Sequence, residues 1–156
     1  MPAKAPASLK KVSLDLKLVK LEWEPDHKEL SVLKNLTNEV RSRRAFEVSR
    51  GIATEDPIAF LGSVQDFRKK LRKLLNDLPH TSSEARSLLL VALEWSAEIL
   101  DAWHEELKKL APNTWEFSKL EPRELMMVME RIWPKVESVR RGYDSLARSL
   151  EKYLFT

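Results

Sequence analysis

Four carboxylates recur at helical spacing in the middle of the chain. They are Glu94, Glu98, Asp101 and Glu105, and His104 follows Asp101 by three residues. Residues three and four apart share a helix face, so this row would set acid groups and one imidazole side by side. A carboxylate-x-x-His pair is part of the ligand set of a di-iron bundle, which takes two such pairs and two further glutamates, all directed inward. Only one pair exists here, and His27 and His80 stand near helix starts without matching carboxylates. The row also lies away from the main apolar stripe of its own segment. It therefore reads as a solvated or ion-paired outer face, and neither a metal nor a cofactor is expected.

Two all-helical enzyme patterns bear comparison with these residues. Helical nucleotide pyrophosphohydrolases carry Glu-x-x-Glu, a spacer and then Glu-x-x-Asp. Glu98 and Asp101 match the second half, but no Glu-x-x-Glu precedes them at a suitable distance. Helical ribonucleases of the HEPN type need an arginine four to six residues before a histidine, and none of the three histidines qualifies. With three glycines there is no phosphate-cradling loop, and with no cysteine there is no thiolate ligand, disulfide or cysteine nucleophile. The expectation is a protein that catalyses nothing and takes no small-molecule substrate.

Basic residues are the stronger lead. Residues 41–73 hold nine Lys or Arg against four Asp or Glu, whereas residues 84–121 hold four against eight. Arg41, Arg43, Arg44 and Arg50 crowd one segment, and Arg68, Lys69, Arg72 and Lys73 cluster on the next. Cations at helical spacing suit contact with phosphates, and such binding falls steeply with salt. These eight residues are the candidate nucleic-acid contacts. The opposite signs of the two regions also suit contact between copies of the chain, or within one.

Positioning falls to long helices. Thr81 to Leu110 carries two apolar stripes, one with Leu89, Leu93, Leu100, Trp103, Leu107 and Leu110, the other with Leu88, Ala92, Trp95, Ile99 and Ala102. A helix apolar over so much of its circumference touches more than one neighbour. Asp26 is suited to cap a helix running to about Arg50, with Gly51 ending it. Asp56-Pro57 starts the next, whose Phe60, Val64, Phe67, Leu71, Leu74 and Leu78 keep steps of four and three until Pro79. Thr114 to Leu120 would form a helical turn tucking Trp115 and Phe117 under the bundle. From Pro122 onward, Leu125, Met129, Ile132, Val136, Val139, Tyr143, Leu146, Leu150 and Tyr153 hold their phase through Pro134. That predicts one long helix kinked at the proline, its YLFT end projecting outward.

The N-terminus differs. Residues 1–8 read as a mobile tail. Val12, Leu14, Leu16 and Leu18 alternate with polar residues, and then Val19, Leu21 and Trp23 alternate in the opposite phase. A strand with a bulge produces such a slip, and a helix is the competing reading. No other segment alternates, so a strand here would need a partner from outside the chain. Val12, Leu14, Leu16, Leu18, Leu21 and Trp23, together with Leu150 and Tyr153 of the last helix, are therefore the candidate protein-interface residues.

The fold class expected is all-α: an antiparallel bundle of four main helices, with an N-terminal extended arm and a kinked long C-terminal helix. Residues 1–24 would be tail and arm, and 25–156 the helical domain. A single glutamine, no cysteine and 33% charged residues fit a thermophilic source. No segment resembles a signal peptide or a membrane span, so a cytoplasmic protein without membrane contact is expected. The leading function is a small non-catalytic subunit that assembles with itself or with a protein partner through the arm and the last helix. The alternative is a nucleic-acid-binding bundle, similar in size and charge to the small helical subunits of ribonucleoproteins such as CRISPR effectors.

Overall fold

The computed structural model describes residues 12–16, 19–42 and 46–154, without the side chains at 15, 16, 19, 20, 114 and 153. The described residues are predominantly helical, with five α-helices and a short antiparallel sheet at the N-terminus. The all-α bundle is as expected. Several local readings of the sequence are corrected.

The first concerns the arm. Strand β1 (Val12–Leu16) pairs antiparallel with β2 (Val19–Trp23), with Leu16 opposite Val19 and Val12 opposite Trp23. The chain thus supplies its own strand partner. Residues opposite each other in an antiparallel pair point to the same side, so even-numbered positions of β1 share a face with odd-numbered positions of β2. The change of phase is the mark of a two-residue connection, not of a bulge. Val12 and Leu14 are 1% exposed and Trp23 8%, while Ser13 and Glu22 face solvent.

The second correction concerns the first helix. Asp26 caps α1 (His27–Ser42) in a reciprocal box: its Oδ1 accepts from the Glu29 N–H at 2.8 Å, and Glu29 Oε1 accepts from the Asp26 N–H at 3.2 Å. The helix stops at Ser42 rather than near Arg50. Phe46 is instead buried, edge-on to Phe67 at 5.5 Å. A separate short helix, α2 (Arg50–Glu55), begins behind Ser49, whose Oγ accepts from the Ile52 N–H at 3.2 Å. Gly51 lies inside this first turn and is not a stop signal.

Asp56 serves two helices at once. Its N–H donates to the Ile52 carbonyl at the end of α2, and its Oδ1 accepts from the Ala59 N–H at the start of α3 (Pro57–Asn76). Pro57 takes the first helical position, where its missing N–H costs nothing. The last carbonyls of α3 find a donor in Arg86, whose Nη1 reaches the oxygens of Leu75 and Leu78 at 3.3 and 3.4 Å. Arg86 belongs to α4 (Ser83–Leu110). A 3-10 helix (Thr114–Lys119) leads to α5 (Pro122–Leu154), which is continuous through Pro134.

The chain divides into two compact units. The first comprises residues 1–42, 70–93 and 142–156; its core includes Val12, Leu14, Leu33, Leu36, Leu71, Leu88 and Leu150. Here the Tyr143 hydroxyl donates to the Ala92 carbonyl, locking the end of α5 to α4. Leu154 is buried, so that position of the YLFT end does not project as expected; Phe155 and Thr156 lie outside the described residues. The second unit comprises residues 43–69 and 94–141; its core includes Phe60, Val64, Phe67, Ile99, Trp103, Met129 and Ile132. Phe60 and Trp133 pack with ring centroids 5.9 Å apart. Trp115, expected beneath the bundle, is 61% exposed with the Lys119 ammonium 4.2 Å from its ring centroid. At three residues per turn, positions 115 and 117 point in different directions, and only Phe117 is partly covered.

Candidate functional site

The acidic row of α4 is positioned by helix periodicity alone. Glu94, Asp101, His104 and Glu105 are exposed and Glu98 is half-buried. Among the described residues, no group of three or more His, Cys, Asp or Glu is placed to hold a metal ion. Two carboxyls elsewhere depart from their ordinary range. Burial pushes Glu29 upward against the opposing hydrogen bond from the Asp26 N–H, and a hydrogen bond from Lys109 draws Glu106 downward. One is a helix cap and the other a surface ion pair.

The basic candidates separate. Arg41, Arg72 and Lys73 belong to the first unit, and Arg50, Arg68 and Lys69 to the second. Arg43 and Arg44 lie outside the described residues. In the first unit, Arg41 Nε meets Glu151 Oε1 at 3.0 Å, and Lys70 Nζ lies 3.5 Å from Glu39 Oε2. Arg72 and Lys73 are exposed. An open depression of about 520 Å³ between α1 and α3 is lined by Asn35, Asn38, Glu39, Lys70, Lys73, Leu74 and Asp77. Two ammonium groups face two carboxylates there, so the floor is charge-balanced rather than cationic.

In the second unit, Arg50 is held by Glu130 of α5, with Nε 2.6 Å from Oε2. Thr54 Oγ1 donates to the other carboxylate oxygen at 3.2 Å. Arg68 is half-buried, and its Nε is buried without a hydrogen-bond partner. Lys69 is exposed. Positive charge in the sequence pattern is thus partly matched by carboxylates brought in from distant helices, as with Arg50 and Glu130, 80 residues apart.

The candidate interface residues fare differently from expectation. Val12, Leu14, Trp23 and Leu150 are buried, and Leu21 is half-buried. Leu18 lies outside the described residues, as do the side chains of Leu16 and Tyr153. The hairpin pairs with itself, and Val12, Leu14, Trp23 and Leu150 are enclosed by the chain's own fold rather than presented to solvent.

Five large apolar side chains are exposed among the described residues: Ile52, Ile58, Leu90, Trp115 and Met127. Four of them, all but Leu90, belong to the second unit. Ile52 and Ile58 flank the break between α2 and α3, being 57% and 60% exposed. At this break lies a half-open notch of about 150 Å³, lined by Val48, Ile52, Ala53, Asp56, Ala59, Phe60 and Ser63. Reading α1 as running to Arg50 concealed it. Ser49, a good N-cap residue three before Ile52, was the available signal of a new helix. No protein-family model, no curated protein and no solved structure matches the chain.

Proposed function

We infer that this chain is a non-catalytic helical subunit that works by protein–protein assembly, beginning with copies of itself. The observation that carries the reading is the exposed Ile52 in the lining of an apolar notch at the α2–α3 break, with a second exposed isoleucine, Ile58, in the first turn of α3. Scattered single apolar residues on a surface are ordinary, whereas large ones grouped at a concave site favour a contact. This reading places the contact at the α2–α3 break rather than on the arm and last helix read from the sequence. Light scattering of the purified chain across a concentration series tests this. Oligomers that revert to monomer on replacing Ile52 and Ile58 by Asp are expected; a wild-type chain monomeric throughout the series would sink the reading.

Nucleic-acid binding remains the second reading, supported by exposed Arg72 and Lys73 with Asn35, Asn38 and Lys70 in the α1–α3 depression. The balancing Glu39 and Asp77 weaken it. A gel shift at rising salt distinguishes the two: salt-sensitive binding lost in Arg72→Ala/Lys73→Ala would favour this reading.

A further inference from the structure

The notch between α2 and α3 combines three properties. Its wall is apolar, with Ala53 and Phe60 buried behind Ile52 and Ala59. Its volume, about 150 Å³, is of the order that takes one benzene-sized apolar group. The chain that forms it is acidic: Asp56 lines the notch, and Glu47, Glu55 and Asp66 of the same stretch are exposed. Arg50 is the one cation between residues 46 and 67, and it is drawn away to Glu130. A complementary occupant presents one large apolar side chain flanked by cations.

The chain itself contains such a segment. Residues 1–11, MPAKAPASLKK, lie outside the described structure and hold Lys4, Lys10 and Lys11 with no acidic residue. Their charge equals the whole formal net charge of +3, so residues 12–156 sum to zero. Leu9 is the one leucine in this segment, directly before Lys10 and Lys11. We propose that the notch is a docking site for the N-terminal segment of a second copy, with Leu9 seated between α2 and α3. Lys10 and Lys11 then face Glu47, Glu55 and Asp56. Ile52, exposed in one copy alone, becomes covered at the contact.

This docking names the contact within the assembly reading and rests on it. Full-length variants test it in sedimentation velocity over a concentration series. Leu9→Asp and Ile52→Asp are each expected to weaken self-association at least tenfold, because a charge at either position cannot enter an apolar notch. Reversing Lys10 and Lys11 to Glu should weaken it several-fold, and adding Glu47→Lys and Glu55→Lys should restore it. Mixing Leu9→Asp with Ile52→Asp copies should recover one intact contact, which loss of folding in either variant could not do. Circular dichroism of each variant checks that the helices persist. Self-association indifferent to Leu9→Asp would overturn the docking and leave assembly standing. A wild-type chain that never associates would remove both.

Discussion

The two units distribute apolar surface and charge in contrasting ways. In the first, residues that look available in sequence are enclosed: the hairpin buries Val12, Leu14 and Trp23, and Arg41 is matched by Glu151. Its exposed large apolar residue is Leu90. The second unit leaves Ile52, Ile58, Trp115 and Met127 in solvent and opens a notch where two helices meet at a single capping residue. The contrast has a local cause. A helix break shared by one aspartate leaves too few residues to cover both helix faces, whereas a hairpin laid over helices covers its own apolar side. The difference is one of enclosed apolar residues in the first unit against exposed ones in the second.

Substitutions can break or sharpen that contrast, and the largest effect belongs to the core of the first unit. Leu33 is fully buried, so Leu33→Ala should cost about 2–5 kcal/mol in chemical denaturation. Ile58→Ala in the second unit should stay within about 0.5 kcal/mol. Equal costs would erase the distinction. Next comes Tyr143→Phe, which removes the buried hydroxyl bond to the Ala92 carbonyl and should cost about 0.5–1.5 kcal/mol. A smaller change follows at Glu130, whose side chain and that of Arg50 are 43% and 57% exposed. Glu130→Ala should cost no more than about 1 kcal/mol, and a larger loss would show α2 to be a structural keystone.

The smallest effect is one of pH, and its sign differs between the units. Glu29 in the first unit is raised by burial. Its contribution to stability is therefore full below the ordinary glutamate value and is lost as pH rises through the raised folded value. Glu106 in the second unit is lowered by Lys109. Its contribution is present above the ordinary value and lost as pH falls through the lowered one. Relative to wild type, Glu29→Gln should thus gain stability as pH rises from acid to neutral, and Glu106→Gln should lose it. Parallel unfolding curves at the two pH values check both signs at once, and slopes of the same sign would contradict the two environments.

Much of the helical frame was legible from short-range signals. Asp26, Asp56 with Pro57, and Pro122 mark helix starts, and the four-three spacing from Phe60 to Leu74 and from Met129 to Leu150 marks buried faces. The hairpin was half legible: alternation gave the strands, but the phase slip admits both a bulge and a turn until the register is known. The boundary between α1 and α2 was misread because a glycine suits a helix end as well as a first turn. Its neighbour Ser49 decides between them only when its Oγ is seen to accept from Ile52. The notch depends on that boundary, and charge pattern carries no information about partners far along the chain, such as Glu130 for Arg50.

The sequence by itself determined the all-helical class, the capping residues and the phase of each apolar stripe. These depend on neighbours within one or two turns, where backbone geometry leaves few choices. Only the tertiary structure decided that Trp23 is covered and Ile52 is not, that Arg50 belongs to Glu130, and that α2 and α3 leave a gap. Burial and ion pairing are set by what the rest of the chain brings within a few ångströms, and that depends on long-range packing that no local pattern encodes.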